Sequence, residues 1–385
     1  MTRIFLIAGE PSGDRLGAAL ICGLRALERD LAVSGVGGPA MAAQGLESLF
    51  PMEELSVMGL AEVLPRLRGL LRRRDEVAAA VLAARPDALV TIDSPDFCLR
   101  VAARVRAKAP DLPVIHYVAP SVWAWRPARA RRMARVVDHV LALLPFEPPY
   151  MEAAGMGCDF VGHPVVAQAA ASAREIEGFR ADRPGRIVLA LPGSRRGEIG
   201  RLAPIFGEAL DALPPDIRIV VPTVPHVEPA VRHALALWPR DAEVVVGEAQ
   251  KRAAFGAADA ALAASGTVSL ELAANRVPMV IAYDMNWLSR AILARMLRVD
   301  SVTLVNLVSG TRAVPEFLGA RCRPGPIGEA LALLLADPAR REVQLGAMDE
   351  TMRRLGRGGE PPGLRAARAV LRVIGSPLAG NAAGV

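Results

Sequence analysis

The chain opens with an apolar run, Arg3-Ile-Phe-Leu-Ile-Ala8, that passes directly into the turn Gly9-Glu-Pro-Ser-Gly-Asp14. A helical pattern follows, with leucines at positions 16, 20, 24 and 27. A strand that ends in a Gly-rich turn before a helix predicts a ligand site in an α/β sheet, because backbone N–H groups point at the ligand there. The turn matches neither the dinucleotide-binding pattern nor the P-loop. Its carboxylates, Glu10 and Asp14, suit hydroxyls or an amine better than a bare phosphate.

The same alternation of apolar runs and helical periodicity continues along the chain. Strands are predicted in the first half at 4–8, 31–36, 88–92, 114–118, 139–144 and 158–161, and in the second half at 187–191, 217–221, 244–246, 260–263 and 279–282. This rhythm is typical of parallel sheets with helices on their faces. The predicted fold class is therefore α/β, with two Rossmann-like, doubly wound domains that face each other across a cleft.

The length of 385 residues fits two domains of ordinary size. We expect the first domain over residues 1–164, a linker or hinge over 165–185 and the second domain over 186–350. The C-terminal helices are expected over 351–375, packing back or exchanged in a dimer, and residues 376–385 are expected to be a disordered tail.

The composition limits the compartment and the kinds of site. No apolar run approaches the roughly 18 residues of a membrane-spanning helix, and only about five apolar residues precede Gly9, too few for a signal-peptide core. We therefore expect a cytoplasmic protein. The four cysteines lie far apart, which predicts reduced thiols and neither a disulfide framework nor a metal site.

The charge balance bears on the partners. Nearly all of the 46 basic residues are arginine, which suits the bidentate recognition of phosphate and the anionic headgroups of a membrane. Aromatic residues make up only 4% of the chain and no nucleic-acid-binding module is present, so no nucleic-acid partner is expected.

Asp93 follows the apolar run at 88–92 directly. In an open α/β sheet, ligands lie outside the carboxyl ends of the strands, so this carboxylate stands where a catalytic base would be. The alternative is a cap for the next helix, a role that Ser94 or Asp96 could also fill.

Two loops of the second half have the features of a phosphate site. In Pro192-Gly193-Ser194-Arg195 a guanidinium stands beside exposed N–H groups, which fits a diphosphate. Ser265-Gly266-Thr267 precedes a helix that carries Glu271, whose carboxylate could accept hydrogen bonds from ribose hydroxyls. The alternatives are a structural turn at the first loop and simple helix capping by Ser265 or Thr267 at the second.

The stretch at 63–74 mixes leucine and arginine residues. Its leucines can share one helical face while its arginines reach outward, which is typical of a helix in a membrane interface with anionic lipid as its partner. The residues concerned are Leu64, Leu67, Leu70, Leu71, Arg72 and Arg73. The alternative is an ordinary surface helix that docks its leucines on the domain. Pro65 and Gly69 weaken the helix and favour a mobile flap.

Taken together and in this order, these motifs resemble those of the lipid-A-disaccharide synthase family, inverting glycosyltransferases, over roughly residues 3 to 375. The matching pieces are Ala8-Gly-Glu-Pro-Ser-Gly-Asp14, Gly35-Val-Gly-Gly-Pro39, Ser56-Val-Met-Gly59, Ile92-Asp93-Ser-Pro-Asp-Phe97, Pro120-Ser-Val-Trp-Ala-Trp-Arg126, Gly162-His-Pro164, Leu191-Pro-Gly-Ser-Arg195, Ala264-Ser-Gly-Thr267, Val305-Asn-Leu307 and Val314-Pro-Glu-Phe317. A colinear series of this kind is far more specific than any one of its members.

The resemblance implies a GT-B fold and a reaction without a metal or other cofactor. UDP-2,3-diacylglucosamine would be joined to 2,3-diacylglucosamine 1-phosphate, giving a β1→6 disaccharide and UDP. The resemblance also implies peripheral attachment to the cytoplasmic face of the inner membrane and a homodimer that exchanges its C-terminal segments.

The same resemblance implies a role for each matching residue. Asp93 would be the general base and Arg195 would neutralise the leaving diphosphate. The uridine diphosphate would be held by residues of three motifs, Ser265, Gly266, Thr267, Glu271 and Asn306. The acceptor side would be shaped by Glu10, Ser12 and Asp14, and the stretch at 63–74 would hold the acyl chains and the membrane.

The chain departs from the family pattern at one position. Family members tend to have an arginine directly after the glycine that matches Gly310, whereas this chain has Thr311 there and Arg312 one place later.

Three rival functions are also compatible with the sequence. The nearest rival is another UDP-sugar transferase of the same architecture. The second is a UDP-sugar 2-epimerase, which would release UDP without any acceptor. The third is a non-catalytic protein that binds a nucleotide sugar.

Overall fold

The computed structural model describes residues 1–55, 60–123, 128–285 and 300–375, with no side-chain detail at 60–66. The motif Ser56-Val-Met-Gly59, the residues Trp125 and Arg126, the side chain of Leu64 and the predicted tail at 376–385 therefore lie outside the described part. The chain divides into two compact units, Met1–Ala167 with Gly358–Val385, and Gln168–Arg357.

The first unit is built on a six-stranded sheet in which every described strand pairing is parallel. The strand order is β2-β1-β3-β4-β5-β6. The strands are β1 Thr2–Ala8, β2 Leu31–Val36, β3 Ala88–Ile92, β4 Val114–Tyr117, β5 His139–Ala142 and β6 Gly157–Phe160. The helices are α1 Pro11–Leu27, α2 Pro39–Ala42, α3 Leu60–Ala84, α4 Pro95–Arg106, α5 Ala128–Met133 and α6 Pro148–Glu152.

The second unit repeats this plan with the strand order β12-β11-β10-β7-β8-β9, again in parallel pairs. Its strands are β7 Ile187–Leu191, β8 Arg218–Thr223, β9 Glu243–Val246, β10 Ala260–Ala264, β11 Met279–Tyr283 and β12 Glu316–Leu318. Its helices are α7 Ala173–Ala181, α8 Arg196–Asp211, α9 Glu228–Leu235, α10 Glu248–Ala257, α11 Val268–Ala274, α12 Leu304–Ser309, α13 Pro324–Ala336 and α14 Pro338–Arg354. The predicted α/β class with two Rossmann-like domains is confirmed.

Helices cover both faces of the first sheet. Because side chains alternate between the faces along each strand, successive residues of a strand pack into two different cores. Ile4 and Leu6 of β1 pack with the leucines of α1 and with a last helix, α15 Pro362–Val373. Phe5 and Ile7 point to the opposite face and pack with α3 and α4. A strand buried on both sides needs a continuous apolar run, and this is why the opening stretch of the sequence predicts β1 clearly.

The C-terminal helix α15 belongs to the first unit although it follows the second in the chain. It lies so close to α1 that a Cβ at Gly363 would come 2.5 Å from the carbonyl oxygen of Ala19. Two arginines fix its outer side on β6, since Arg365 donates to the Phe160 carbonyl at 2.6 Å and Arg372 pairs with Asp159 at 2.8 Å. The first unit is therefore completed by residues from the far end of the chain.

Helix α3 corrects the expectation of a weak helix at 63–74. It continues through Pro65 and Gly69 as part of a helix of 25 residues. Pro65 is the sixth residue of this helix, beyond the first turn in which proline is tolerated, and the later turns are anchored by the buried residues Val77 and Val81.

We predict that Gly363→Ala lowers the free energy of unfolding by about 1–3 kcal/mol, because the added methyl group forces α15 away from the α1 backbone. The matched control is Gly346→Ala in α14, where a Cβ meets nothing within 4 Å. That exchange should stabilise the protein by about 0.5–1 kcal/mol, since alanine has the higher helix propensity. Urea unfolding followed by circular dichroism measures both, and equal effects of the two exchanges would contradict the close contact.

Candidate functional site

Each sheet has a topological switch point, where the connections leave two neighbouring strands in opposite directions. It lies between β1 and β3 in the first unit and between β7 and β10 in the second. The loops that follow such strands diverge and leave a crevice, which is where open α/β sheets bind ligands. The predicted loops after these four strands therefore fall at the two switch points.

A cavity of about 460 Å³ lies at the switch point of the second unit. It is bounded by the loops after β7, β8 and β10 and by residues of α8, α10 and α11. The structure brings together in its wall the predicted residues Gly193, Ser194, Arg195, Ser265, Gly266, Thr267 and Glu271. The volume is that of a small-molecule site.

The loop after β7 presents donors to an anion. Gly193 has a φ of +120°, and a Cβ there would lie 2.7 Å from the side chain of Glu198, so only glycine fits this turn. The Glu198 carboxylate accepts the Ser194 N–H at 3.2 Å and lies 3.3 Å from the Arg195 guanidinium. Arg195 is 62% exposed, so it can exchange this carboxylate for an anionic ligand.

Lys251, on α10, is a cavity residue that the sequence analysis missed. Its ammonium Nζ lies 3.0 Å from Oε1 and 2.9 Å from Oε2 of Glu271, the predicted ribose-binding carboxylate. A signal was present in the sequence, because the chain contains only two lysines, Lys108 and Lys251, among its 46 basic residues.

The cavity therefore holds two cation–carboxylate pairs, Arg195–Glu198 and Lys251–Glu271. The wall also contains residues of the two Gly-containing loops, and Leu191 and Val224 contribute apolar surface. This combination of anion donors, hydroxyl acceptors and apolar surface matches a ligand that carries phosphate, sugar hydroxyls and a flat ring.

Asn306, predicted to line the nucleotide pocket, is not among the described residues that line the cavity. Its side chain is 1% exposed, and its amide group accepts from the Val314 N–H at 3.0 Å and donates to the Val314 carbonyl at 2.9 Å. Both ends of the amide are thus used to hold the chain before β12. Arg312, next to the departure at Thr311, lies 3.7 Å from Asp300.

At the switch point of the first unit, the structure brings together three of the predicted residues. Asp93 follows β3, and its Oδ2 accepts a hydrogen bond from Ser12 Oγ at 3.4 Å. Ser94 Oγ donates to Glu10 Oε1 at 3.5 Å, which links the loops after β1 and β3 a second time. Asp93 and Ser94 both adopt a left-handed backbone, with φ of +53° and +42°. Such strain in non-glycine residues is typical of functional sites.

Asp14, predicted to shape the acceptor side, is bound to backbone groups of the loop before α2 and of its first turn. It is 4% exposed, and its carboxylate accepts the backbone N–H groups of Gly38, Ala40 and Met41 at 2.8–3.0 Å. These donors begin α2, so Asp14 caps a neighbouring helix from its place on α1.

In the leucine and arginine stretch at 63–74, some described side chains pack against the core and others are exposed. Leu70 packs against the core of the first unit, while Leu67 remains 41% exposed. Arg73 lies over the Phe50 ring and is held by Glu54 and Glu76 at 2.7–2.8 Å, so it is part of an ion-pair network rather than a free outward charge.

The buried carboxyl group of Glu147 is hydrogen-bonded to Trp123, in the loop that follows β4. Glu147 is 4% exposed and accepts the N–H groups of Leu143 and Leu144 at 3.1 and 2.9 Å and the indole N–H of Trp123 at 3.3 Å. Burial raises the pKa of Glu147 to about 7, against the lowering effect of these three donors. No motif in the sequence indicated this residue.

Among the residues that the structure describes, no group of three or more His, Cys, Asp or Glu side chains is arranged to hold a metal ion. In the same part of the chain, no helix combines the length and the apolar character needed to cross a bilayer.

Residues 4–360 match the family model described as lipid-A-disaccharide synthetase. The lipid-A-disaccharide synthase of Ruegeria pomeroyi is 60% identical, over 96% of this chain and 95% of its own length. That of Rhodospirillum centenum is 53% identical, over 96% and 94%.

Among solved structures, similarity is in the fold. The UDP-GlcNAc 2-epimerase of Neisseria meningitidis, bound to UDP-GlcNAc, superimposes with a TM-score of 0.64 at 12% identity, covering 97% of this chain and 99% of that one. HepE of Anabaena, in complex with UDP and glucose, gives 0.61 at 15% identity, covering 98% and 100%.

We predict that Glu147 makes the protein less stable as the pH rises. Because the folded-state pKa of about 7 lies above the ordinary pKa of 4.5 for a glutamate, the folded state binds the proton more tightly, and this contribution to stability is lost between about pH 5 and 8. Relative to Glu147→Gln, the wild type should lose about 2–3 kcal/mol of unfolding free energy over that range. Urea unfolding of both proteins at several pH values measures the difference; a constant difference would contradict the raised pKa.

Proposed function

The chain belongs to the lipid-A-disaccharide synthase family, and from this membership we propose the substrates of its reaction and the roles of its two switch points. It is a glycosyltransferase that forms the lipid A disaccharide. The donor is UDP-2,3-diacylglucosamine and the acceptor is 2,3-diacylglucosamine 1-phosphate. The products are the β1→6 disaccharide 1-phosphate and UDP.

The observation that carries this proposal is the cavity of the second unit, with its paired charges and two Gly-containing loops. Its donors at Ser194 and Arg195 suit the diphosphate, and the loop at 265–267 lies opposite them across the switch point. Glu271 accepts hydroxyls of the ribose, and the apolar wall at Leu191 and Val224 suits the base. The site is thus complementary to a uridine diphosphate sugar.

The acceptor is activated in the first unit. The 6-hydroxyl of the acceptor gives its proton to Asp93 while its oxygen attacks the anomeric carbon of the donor. The bond between that carbon and the diphosphate breaks, UDP leaves, and the configuration inverts. Arg195 neutralises the charge that grows on the leaving diphosphate. Ser12 holds the base by its hydrogen bond, and Glu10 shapes the acceptor side.

Attachment to the inner face of the inner membrane is the second part of the proposal. Leu67 and Arg68, both exposed in the first half of α3, suit the apolar and anionic layers of a lipid surface. Binding to vesicles of anionic lipid tests this. A dimer that exchanges C-terminal segments stays a prediction of the resemblance; here α15 lies on α1 of its own chain.

We expect the purified protein to release UDP from UDP-2,3-diacylglucosamine only when the 1-phosphate acceptor is present, and to do so in EDTA. Acceptor dependence follows because the attacking oxygen belongs to the acceptor. A UDP-release assay in detergent, with and without acceptor, measures it. UDP release without acceptor would instead indicate an epimerase-like or hydrolytic reaction, and loss of activity in EDTA would indicate a metal.

We predict that Asp93→Asn lowers kcat by about 10²–10⁴-fold, the usual contribution of a general base, with a much smaller change in KM. The matched control is Asp96→Asn, three residues along on the exposed face of the first turn of α4, which should stay near wild-type activity. Steady-state kinetics with varied acceptor separates the two constants. An effect confined to KM would show that Asp93 only orients the acceptor.

A further inference from the structure

The Lys251–Glu271 pair is a close, partly buried ion pair in the cavity wall. The ammonium is nearly equidistant from both carboxylate oxygens, at 3.0 and 2.9 Å, and both side chains are roughly three-quarters buried, 29% and 26% exposed. The ammonium also makes a cation–π contact, because it lies 5.4 Å from the centre of the buried Phe255 ring one turn further along α10. Both members line the cavity.

An ammonium group has three donors, and a carboxylate has about four acceptor positions. Lys251 donates a hydrogen bond to Glu271 Oε1, and Oε2 lies 2.9 Å from the ammonium, so the pair uses at most two of the donors and two of the acceptor positions. One donor and further acceptor positions are thus available at a single place in the cavity wall. A hydroxyl is both a donor and an acceptor, so it can donate to the carboxylate and accept from the ammonium at once.

Resting on the proposed function, we propose that Lys251 is a specificity-determining residue, which together with Glu271 recognises one ribose hydroxyl of the uridine nucleotide. Lys251 contributes in two ways. It holds the carboxylate in one orientation, and it supplies the hydrogen bond that the hydroxyl oxygen accepts. When a nucleotide lacks that hydroxyl, the ammonium and the carboxylate both lose their hydrogen-bond partner on the ligand. The resulting loss of binding free energy discriminates strongly against the deoxy nucleotide.

A role limited to charge or to local packing gives a different result. If Lys251 only attracted the diphosphate, or only kept α10 and α11 in place, its loss would weaken every uridine diphosphate equally. The ratio of affinities between UDP and its deoxy analogues isolates the hydroxyl, because the phosphates and the base are the same in each.

The experiment measures binding of UDP, 2′-deoxy-UDP and 3′-deoxy-UDP to the full chain by isothermal titration calorimetry. The variants are Lys251→Met, Lys251→Arg and Glu271→Gln, and the matched control is Lys108→Met, the exposed lysine of the first unit. Thermal unfolding of each variant in the absence of nucleotide shows whether it is folded.

For the wild type and Lys108→Met, we expect UDP to bind about 10- to 100-fold more tightly than one of the two deoxy analogues, the value of a hydrogen bond to a charged group. In Lys251→Met and Glu271→Gln this ratio should fall below about threefold. Lys251→Arg, which keeps the charge and the donors, should restore part of it.

Two results would overturn the proposal. A wild type that binds UDP, together with a folded Lys251→Met that keeps the full ratio, would refute the role of Lys251 and leave the proposed function intact. A wild type that does not bind UDP at all would refute both, since the cavity would then not be a uridine diphosphate site.

Discussion

The structure depends on one constraint, the parallel pairing of all its described strands. Parallel strands bring their carboxyl ends to the same edge of a sheet, and a change in winding direction opens a crevice at that edge. The loops after β1 and β3 meet at one such place, and those after β7 and β10 at another. The residues to which we assign catalysis and diphosphate binding lie on these loops, whereas Lys251 reaches the second place from α10. The strand topology thus determines where the two sites lie, and the side chains determine what each can bind.

Charge is organised differently at the two places. In the second unit the cations Arg195 and Lys251 each face a carboxylate, so the cavity is close to neutral as it stands. A partly exposed pair of this kind contributes little to stability. Its value lies in holding donors and acceptors in position before a ligand arrives, so that less ordering is needed on binding. In the first unit, position is supplied by the backbone instead, through the left-handed residues Asp93 and Ser94.

Much of the fold could be predicted from the sequence, because strands buried on both faces must be continuously apolar, as at 4–8, 88–92 and 187–191. The loops of the sites were also predictable, since glycine and small polar residues after such strands mark them. The individual roles of polar residues were less so. Asp14 and Asn306 are indistinguishable in sequence from ligand-binding residues, yet their partners are backbone groups of Gly38 and Val314. Lys251 was missed because its partner, Glu271, is distant in sequence. Glu147 was missed because no sequence pattern shows that it is buried against Trp123.

The position of α15 has a consequence for how the protein is made. Its residues Ala366, Val370 and Leu371 fill the core between α1 and the first sheet, so the first unit has an unfilled apolar groove until the end of the chain is synthesised. On the ribosome, the second unit emerges complete before the first can close. During that interval the apolar α1 face that α15 covers in the folded chain is exposed to solvent.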